Sequence, residues 1–355
     1  METTHKIYFK NSSEMREVEP NSIDLMITSP PYPMIEMWDS LFSSLNDKIK
    51  KALEEEKGRI AFNLMHGELD KVWNEVFRVI KLGGIVCVNI GDSTRKIGKN
   101  FQLYPNHVKV SNFFQNKGFI ELPCILWRKP TNSPNKFLGS GMLPPNAYVT
   151  LEHEYILIFR KGYNKRNITS KLENRYNSAF FWEERNKWFS DIWEDIRGTP
   201  QILKTNDNNQ KKLRERSAAY PLELPCRLIN MYSLYEDTIL DPFWGTGTTS
   251  LAAMISARNS IGYEINSEFM NIFKKNIENI KQRNLELLNY RLNQHVNFIK
   301  KYQKQNKEIK YNSIHYKFPV ITKQERNILL YKIKSFNKVD NKFILNYQKY
   351  DFKIE

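Results

Sequence analysis

Along the chain, short apolar runs alternate with longer segments whose apolar residues recur every three to four positions. Residues 22–28, SIDLMIT, are mostly apolar, which predicts a strand covered on both faces, as in a parallel sheet. Residues 85–90 (IVCVNI), 120–127 (IELPCILW), 152–162 (EHEYILIFRKG), 237–241 (DTILD) and 260–266 (SIGYEIN) also predict strands, and 5–11 (HKIYFKN) a shorter one. Residues 40–58 predict a mixed helix. Residues 70–84 predict a firmer helix, with Val72, Val76, Val79 and Ile80 at helical spacing and Gly83–Gly84 as its stop. Helices are also expected at 107–119, 217–233 and 248–257, and at 267–284, where Phe269, Ile272, Phe273 and Ile277 share one face. Strand alternating with helix predicts an α/β fold with a doubly wound, mostly parallel sheet. Two polar stretches interrupt the alternation: 129–150, rich in Pro, Gly, Asn and Ser, and 162–215, which is basic and aromatic.

Composition narrows the function. The 355 residues are 41% hydrophobic, enough for a large core. No apolar run is long enough to cross a bilayer and the N-terminus lacks a signal-like stretch, so no membrane association and a cytoplasmic location are expected. Cys87, Cys124 and Cys226 are far apart and form no CxxC pair, so neither a disulfide framework nor a metal site is expected. The net charge of +15 favours a polyanionic partner. The excess is concentrated at the end, with 15 Lys/Arg against 6 Asp/Glu from Leu285 onward.

Residues 237–266 read as a strand, a glycine turn, a helix, and a strand ending in an acid. Gly245 and Gly247 would let backbone approach a ligand near a helix N-terminus. Glu264, at the end of the next strand, can accept both hydroxyls of a ribose. The dinucleotide fingerprint requires a third glycine, but Ser250 stands there. The run Asp241-Pro242-Phe243 followed by Gly245, Gly247 and Thr248 instead resembles the S-adenosyl-L-methionine loop of DNA amino-methyltransferases.

A second loop, Ser29-Pro30-Pro31-Tyr32, follows the strand at 22–28. The lone pair of a base's exocyclic amine is delocalised into the ring. Two acceptors bonding its hydrogens would draw the nitrogen towards tetrahedral geometry and free that pair for methyl transfer. The Ser29 hydroxyl and the Pro30 carbonyl can be those acceptors, with the prolines fixing the backbone beforehand. Tyr32 offers a ring on which a flipped base can stack.

Together the two motifs resemble the beta-class amino-methyltransferases of restriction–modification systems, over about residues 5–283. The resemblance implies a Rossmann-like fold with permuted motif order, S-adenosyl-L-methionine as cofactor and double-stranded DNA as substrate. It also implies a cognate restriction endonuclease sharing the target site. It implies a catalytic half at 1–161, target recognition at 162–215, a cofactor half at 216–284 and a basic extension at 285–355. Ser29, Pro30, Pro31 and Tyr32 would be catalytic. Asp241, Pro242, Phe243, Gly245, Gly247, Thr248 and Glu264 would bind cofactor, Asp241 facing its methionyl end. Asn11 stands where the family usually has aspartate and would meet the adenine amine. Segment 175–188, RYNSAFFWEERNKW, suits groove and phosphate contacts.

In that family a leading serine is most often linked to cytosine N4, and a leading aspartate to adenine N6. Cytosine N4 is therefore expected, with adenine N6 the alternative; protein glutamine methylation and an inactive DNA-binding protein are further alternatives. Cys124 and Cys226 lie in apolar segments and read as structural thiols rather than nucleophiles. His153 reads as a structural or phosphate-facing residue. Met34, Ile35, Met37 and Trp38 could line a base pocket or pack in the core, and 135–148 is a candidate DNA-facing loop.

Overall fold

The computed structural model describes residues 1–129, 138–169, 172–197, 220–305 and 308–352. One sheet of ten strands organises the molecule. Its strands are β1 (Glu2–Tyr8), β2 (Ile23–Thr28), β3 (Ile80–Ile90), β4 (Phe119–Arg128) and β5 (His153–Lys161). They continue with β6 (Ile192–Trp193), β7 (Thr238–Asp241), β8 (Asn259–Tyr263), β9 (Tyr331–Val339) and β10 (Lys342–Lys349). The spatial order is β6-β4-β5-β3-β2-β7-β8-β1-β10-β9. The central strands β3, β2, β7, β8 and β1 are mutually parallel, while β5 and β10 run against their neighbours.

The helices cover both faces, and side chains along β2 and β3 alternate between them. Met26, Val86 and Val88 join one core with α3 (Gly58–Val79) and α4 (Asn106–Asn116). Leu25, Ile27 and Cys87 join another. That second core includes α7 (Glu223–Tyr232) and α8 (Thr248–Ile255). Every residue of β2 is buried, as a strand sandwiched between two helical layers requires. Each such aliphatic side chain contributes about 1.5–3 kcal/mol.

The sheet order reverses between β2 and β7. From β2 the chain builds outward through β3; from β7 it builds the other way through β8. Parallel strands that diverge in this way leave a crevice at their C-terminal ends. Thr28 and Asp241 end the two strands that flank it.

Several element boundaries differ from the sequence expectation. The mixed helix at 40–58 is two helices, α1 (Asp39–Leu45) and α2 (Asp47–Glu54), divided at Asn46, whose side chain accepts from Lys48 N and caps the second. The helix expected at 70–84 begins at Gly58 and stops at Val79, and Ile80 opens β3. Gly83 and Gly84 are therefore strand residues, not a helix stop. Gly83 has φ +77°, and a Cβ on it would lie 2.4 Å from Arg166 N. The glycine pair is where neighbouring backbone crowds the sheet, beside the register shift between β2 and β3.

The two interrupting stretches are partly ordered. Residues 130–137 lie outside the described set; beyond them Leu138–Gly139 pairs with Ala147–Tyr148 in a small hairpin, and Tyr148 stacks on Phe101 at 5.1 Å. In 162–215, residues 170–171 and 198–215 lie outside the described set, as do 216–219. The rest contains α5 (Leu172–Asn177), α6 (Trp182–Trp188) and β6. Within 175–188, Phe181 is 0% exposed and Trp188 is buried, so these rings cannot reach a groove. Glu184 takes two bonds from buried Arg291, at 2.6 and 2.9 Å. That pair locks α6 against the long helix α10 (Ile280–Gln303), which follows α9 (Phe269–Ile277). Position 285 falls inside α10, and the residues after it complete the main sheet through β9 and β10.

Candidate active site

The two motif loops meet at the crevice, although the residues that join them are 213 positions apart in sequence. Thr28, the last residue of β2, donates its hydroxyl to Asp241 Oδ1 at 2.6 Å. Thr249, in the first turn of α8, donates to Asp241 Oδ2 at 2.5 Å, and Phe243 N donates to Oδ1 at 3.1 Å. Tyr220 is bonded in turn to Thr249. Burial raises the Asp241 carboxyl to a pKa of about 6, against the opposing effect of these bonds. Asp241 thus works as the clasp between the loops. It accepts from Thr28, Thr249 and Phe243 N, and it also lines the crevice.

A cavity of about 510 Å³ opens there. Ser29, Pro30 and Pro31 line one side, and Asp241, Pro242, Phe243, Gly245, Thr248 and Glu264 another. Asn11, Met37 and Trp38 also line it; Met34 is buried in the core instead. The glycines divide their roles. Gly245 has φ +51°, and a Cβ there would meet nothing nearer than Phe243 O at 3.9 Å. Its Cβ side is open space on the cavity wall, as the sequence expectation of a close backbone approach requires. Gly247 differs: at φ +79° its added Cβ would lie 2.4 Å from Phe273 and 2.7 Å from Trp244. Gly247 is a packing glycine at the start of α8.

Glu264 is held in position by backbone. Its Oε2 accepts from Gly245 N and its Oε1 from Asn266 N, both at 2.9 Å. Burial raises its pKa. Asn11 uses its side-chain oxygen to accept from Ser13 N at 2.9 Å, which closes a local turn at the rim. That bond uses one of the two lone pairs of the amide oxygen and fixes the side chain at the rim. Cleft size, the open glycine and the fixed carboxylate suit a nucleoside-bearing ligand.

Tyr32 stands beside the cavity with its ring partly exposed and its hydroxyl in a polar cluster. Ser29 Oγ is 3.0 Å from the phenol oxygen, which donates to Glu154 Oε2 at 2.9 Å. Asn89 Nδ2 donates to the phenol oxygen at 2.9 Å and to Glu154 Oε2 at 2.7 Å, while Lys129 Nζ donates to Oε1 at 2.9 Å. Burial, then the Glu154 charge, raises the phenol pKa well above its ordinary value, so the phenol stays protonated.

Asn89, Glu154 and Lys129 were not singled out in the sequence. The sequence points instead to His153, one residue from Glu154; in β5 that single step exchanges the sheet's two faces. His153 is half-buried and edge-on to Tyr155 at 4.8 Å. The cysteines are inert by environment: burial pushes the Cys226 thiol up to about 12 and raises those of Cys87 and Cys124. No helix among the described residues is long and apolar enough to cross a membrane.

Comparison with known proteins agrees with this geometry. A family model described as DNA methylase matches residues 23–275. Type II methyltransferase M.MthZI of Methanothermobacter thermautotrophicus is 53% identical over 358 residues, covering 100% of this chain and 98% of that protein. Type II methyltransferase M.MjaI of Methanocaldococcus jannaschii is 51% identical over 294 residues, 80% of this chain and 94% of that protein. Among solved structures, a putative DNA modification methylase of Thermus thermophilus, complexed with S-adenosyl-L-methionine, has a TM-score of 0.59 at 28% identity, covering 78% of this chain and 95% of its own. The cytosine-N4-specific PvuII DNA methyltransferase shares the fold, with a TM-score of 0.52 at 20% identity over 80% of this chain and 94% of its own. With the Ser-Pro-Pro-Tyr loop ahead of the glycine loop in sequence and both at one crevice, the chain belongs to the DNA methylase family, as a beta-class amino-methyltransferase.

Proposed function

We propose that this DNA methyltransferase transfers a methyl group from S-adenosyl-L-methionine to the exocyclic N4 of cytosine in duplex DNA. The Thr28–Asp241 bond carries the reading, because it sets the amine-orienting loop against the glycine loop across one cavity. When bound, S-adenosyl-L-methionine supplies an electrophilic methyl carbon. Glu264, fixed by two backbone amides, accepts the ribose hydroxyls, and Gly245 leaves room for close approach. Ser29 Oγ and the Pro30 carbonyl accept the two amino hydrogens of a base turned out of the duplex, and Tyr32 flanks its ring. Transfer is direct; the high thiol pKa values of Cys124 and Cys226 support this. The preference for cytosine rests on Ser29, the leading residue that the family most often pairs with N4.

Target reading belongs to the 162–215 region. Among its described residues, Tyr163 is 84% exposed, and Tyr176 and Trp182 also present their rings outward. A cognate restriction endonuclease would share the recognised site. The test is to incubate the protein with methyl-labelled cofactor and genomic DNA, then digest the DNA to nucleosides. Label in N4-methylcytosine is expected. Label in N6-methyladenine replaces the base assignment, and absence of label from DNA overturns the reading. Single-molecule mapping of the same DNA gives the target sequence, which the cognate endonuclease should then fail to cut.

A further inference from the structure

The cluster behind Ser29 fixes the direction of a hydrogen-bond chain. The Glu154 carboxylate can only accept. It accepts from Asn89 and Lys129, and its third donor is the hydrogen of Tyr32. Tyr32 has one hydrogen, so it has none to give Ser29. The contact between Ser29 Oγ and the phenol oxygen must then be donated by serine. With its hydrogen turned to Tyr32, Ser29 presents only lone pairs to the cavity that it lines.

The assignment of Asn89 is equally constrained. Reversing its amide would place an oxygen 2.7 Å from the Glu154 carboxylate, a repulsive pair. In the stable orientation, buried Asn89 Oδ1 has no hydrogen-bond partner among the described residues. An orphaned buried acceptor is destabilising, because its lost hydration is not replaced. The fold tolerates that cost where both amide hydrogens serve the phenol and the carboxylate. Gly91 permits the assembly, since a Cβ there would come within 3.2 Å of the Tyr32 ring and 3.3 Å of the Glu154 stem.

We infer that Glu154, held by Asn89 and Lys129, is a positioning residue that acts through Tyr32 to make the Ser29 hydroxyl an obligate acceptor for the target amine. The inference rests on the proposed role of Ser29 as the acceptor of the amino hydrogens. Without Glu154 the phenol hydrogen is free to point at Ser29, whose own hydrogen would then turn into the cavity and oppose the amine. Glu154→Gln tests this at nearly constant shape. Its amide keeps one acceptor oxygen, which the Lys129 ammonium claims, and turns donor hydrogens to the phenol.

The experiment measures single-turnover methyl transfer to duplex DNA for the wild type, Glu154→Gln, Tyr32→Phe and the double variant. S-adenosylhomocysteine and DNA dissociation constants are measured alongside. Each single variant should lose on the order of 100-fold in rate, with both dissociation constants moved less than about threefold. The double variant should be no slower than the slower single one, because Glu154 acts only through the phenol. A wild-type rate for Glu154→Gln, or losses that multiply in the double variant, overturns the inference and leaves the proposed function standing. A wild type that labels no DNA defeats both. If Glu154→Gln does not fold, Tyr32→Phe decides alone: an undiminished rate overturns the chain, and a rate loss with DNA binding kept supports it.

Discussion

At the residue scale, two acidic side chains govern the site without either needing to touch the methyl group. Glu154 sets a hydrogen-bond direction, and Asp241 clasps two loops. Between them at the cavity Ser29 is the proposed acceptor of the target amine, and Ser29→Ala should lower the methyl-transfer rate by about 100-fold. S-adenosylhomocysteine affinity should be unchanged, as checked by calorimetric titration beside the rate assay. Asp241 makes a different prediction. Its carboxyl titrates near pH 6 in the folded chain and near 3.8 when unfolded, so between these values the folded state holds the extra proton. The associated stability is complete below pH 3.8 and disappears as pH rises through 6, a difference of about 3 kcal/mol. Asp241→Asn removes that dependence. Thermal melts from pH 4 to 7 should show the variant gaining on the wild type as pH rises.

At the scale of elements, the glycine turn shows how a motif conceals two jobs. Gly247→Ala would drive a methyl against Phe273 and Trp244 at a left-handed φ, with the added crowding costing about 1–3 kcal/mol beyond the backbone strain. Gly245→Ala meets open space and bears the backbone strain alone, about 1–2 kcal/mol. Melting curves should therefore show the larger drop for Gly247→Ala. Ligand titration should show weakened S-adenosylhomocysteine binding for Gly245→Ala. Equal drops in melting temperature for the two variants would contradict this division. The helix at 58–79 offers a related lesson: Gly83 and Gly84 resemble a stop signal, yet backbone crowding within β3 explains them better.

At the scale of the whole molecule, the positively charged C-terminal part is structural as well as basic. Strand β10 pairs with β1, and Phe343 and Leu345 are buried in a core with Phe273 and Met254. Tyr347 donates to Met254 O at 2.7 Å. Deleting residues 331–355 would open that core and expose the edge of β1. The truncated chain should lose its cooperative thermal transition, not merely its affinity for DNA. A truncated protein that melts like the full chain and only binds DNA more weakly would sink this expectation.

Sequence by itself determined the strands of the parallel centre, because burial on both faces strongly favours apolar residues there, as in SIDLMIT and IVCVNI. It also exposed both motif loops, because proline, glycine and acid at fixed offsets carry local backbone constraints that need no partner to be recognised. Only the tertiary structure decided what those residues face. Asn89, Lys129 and Glu154 come from three strands or strand ends, and sequence periodicity carries no record of which polar side chains will meet across a sheet. Within the aromatic segment at 175–188, Phe181 and Trp188 went inward while Tyr176 and Trp182 stayed outward for the same reason: a ring's composition suits a groove or a core equally, and the packing of this segment decided which.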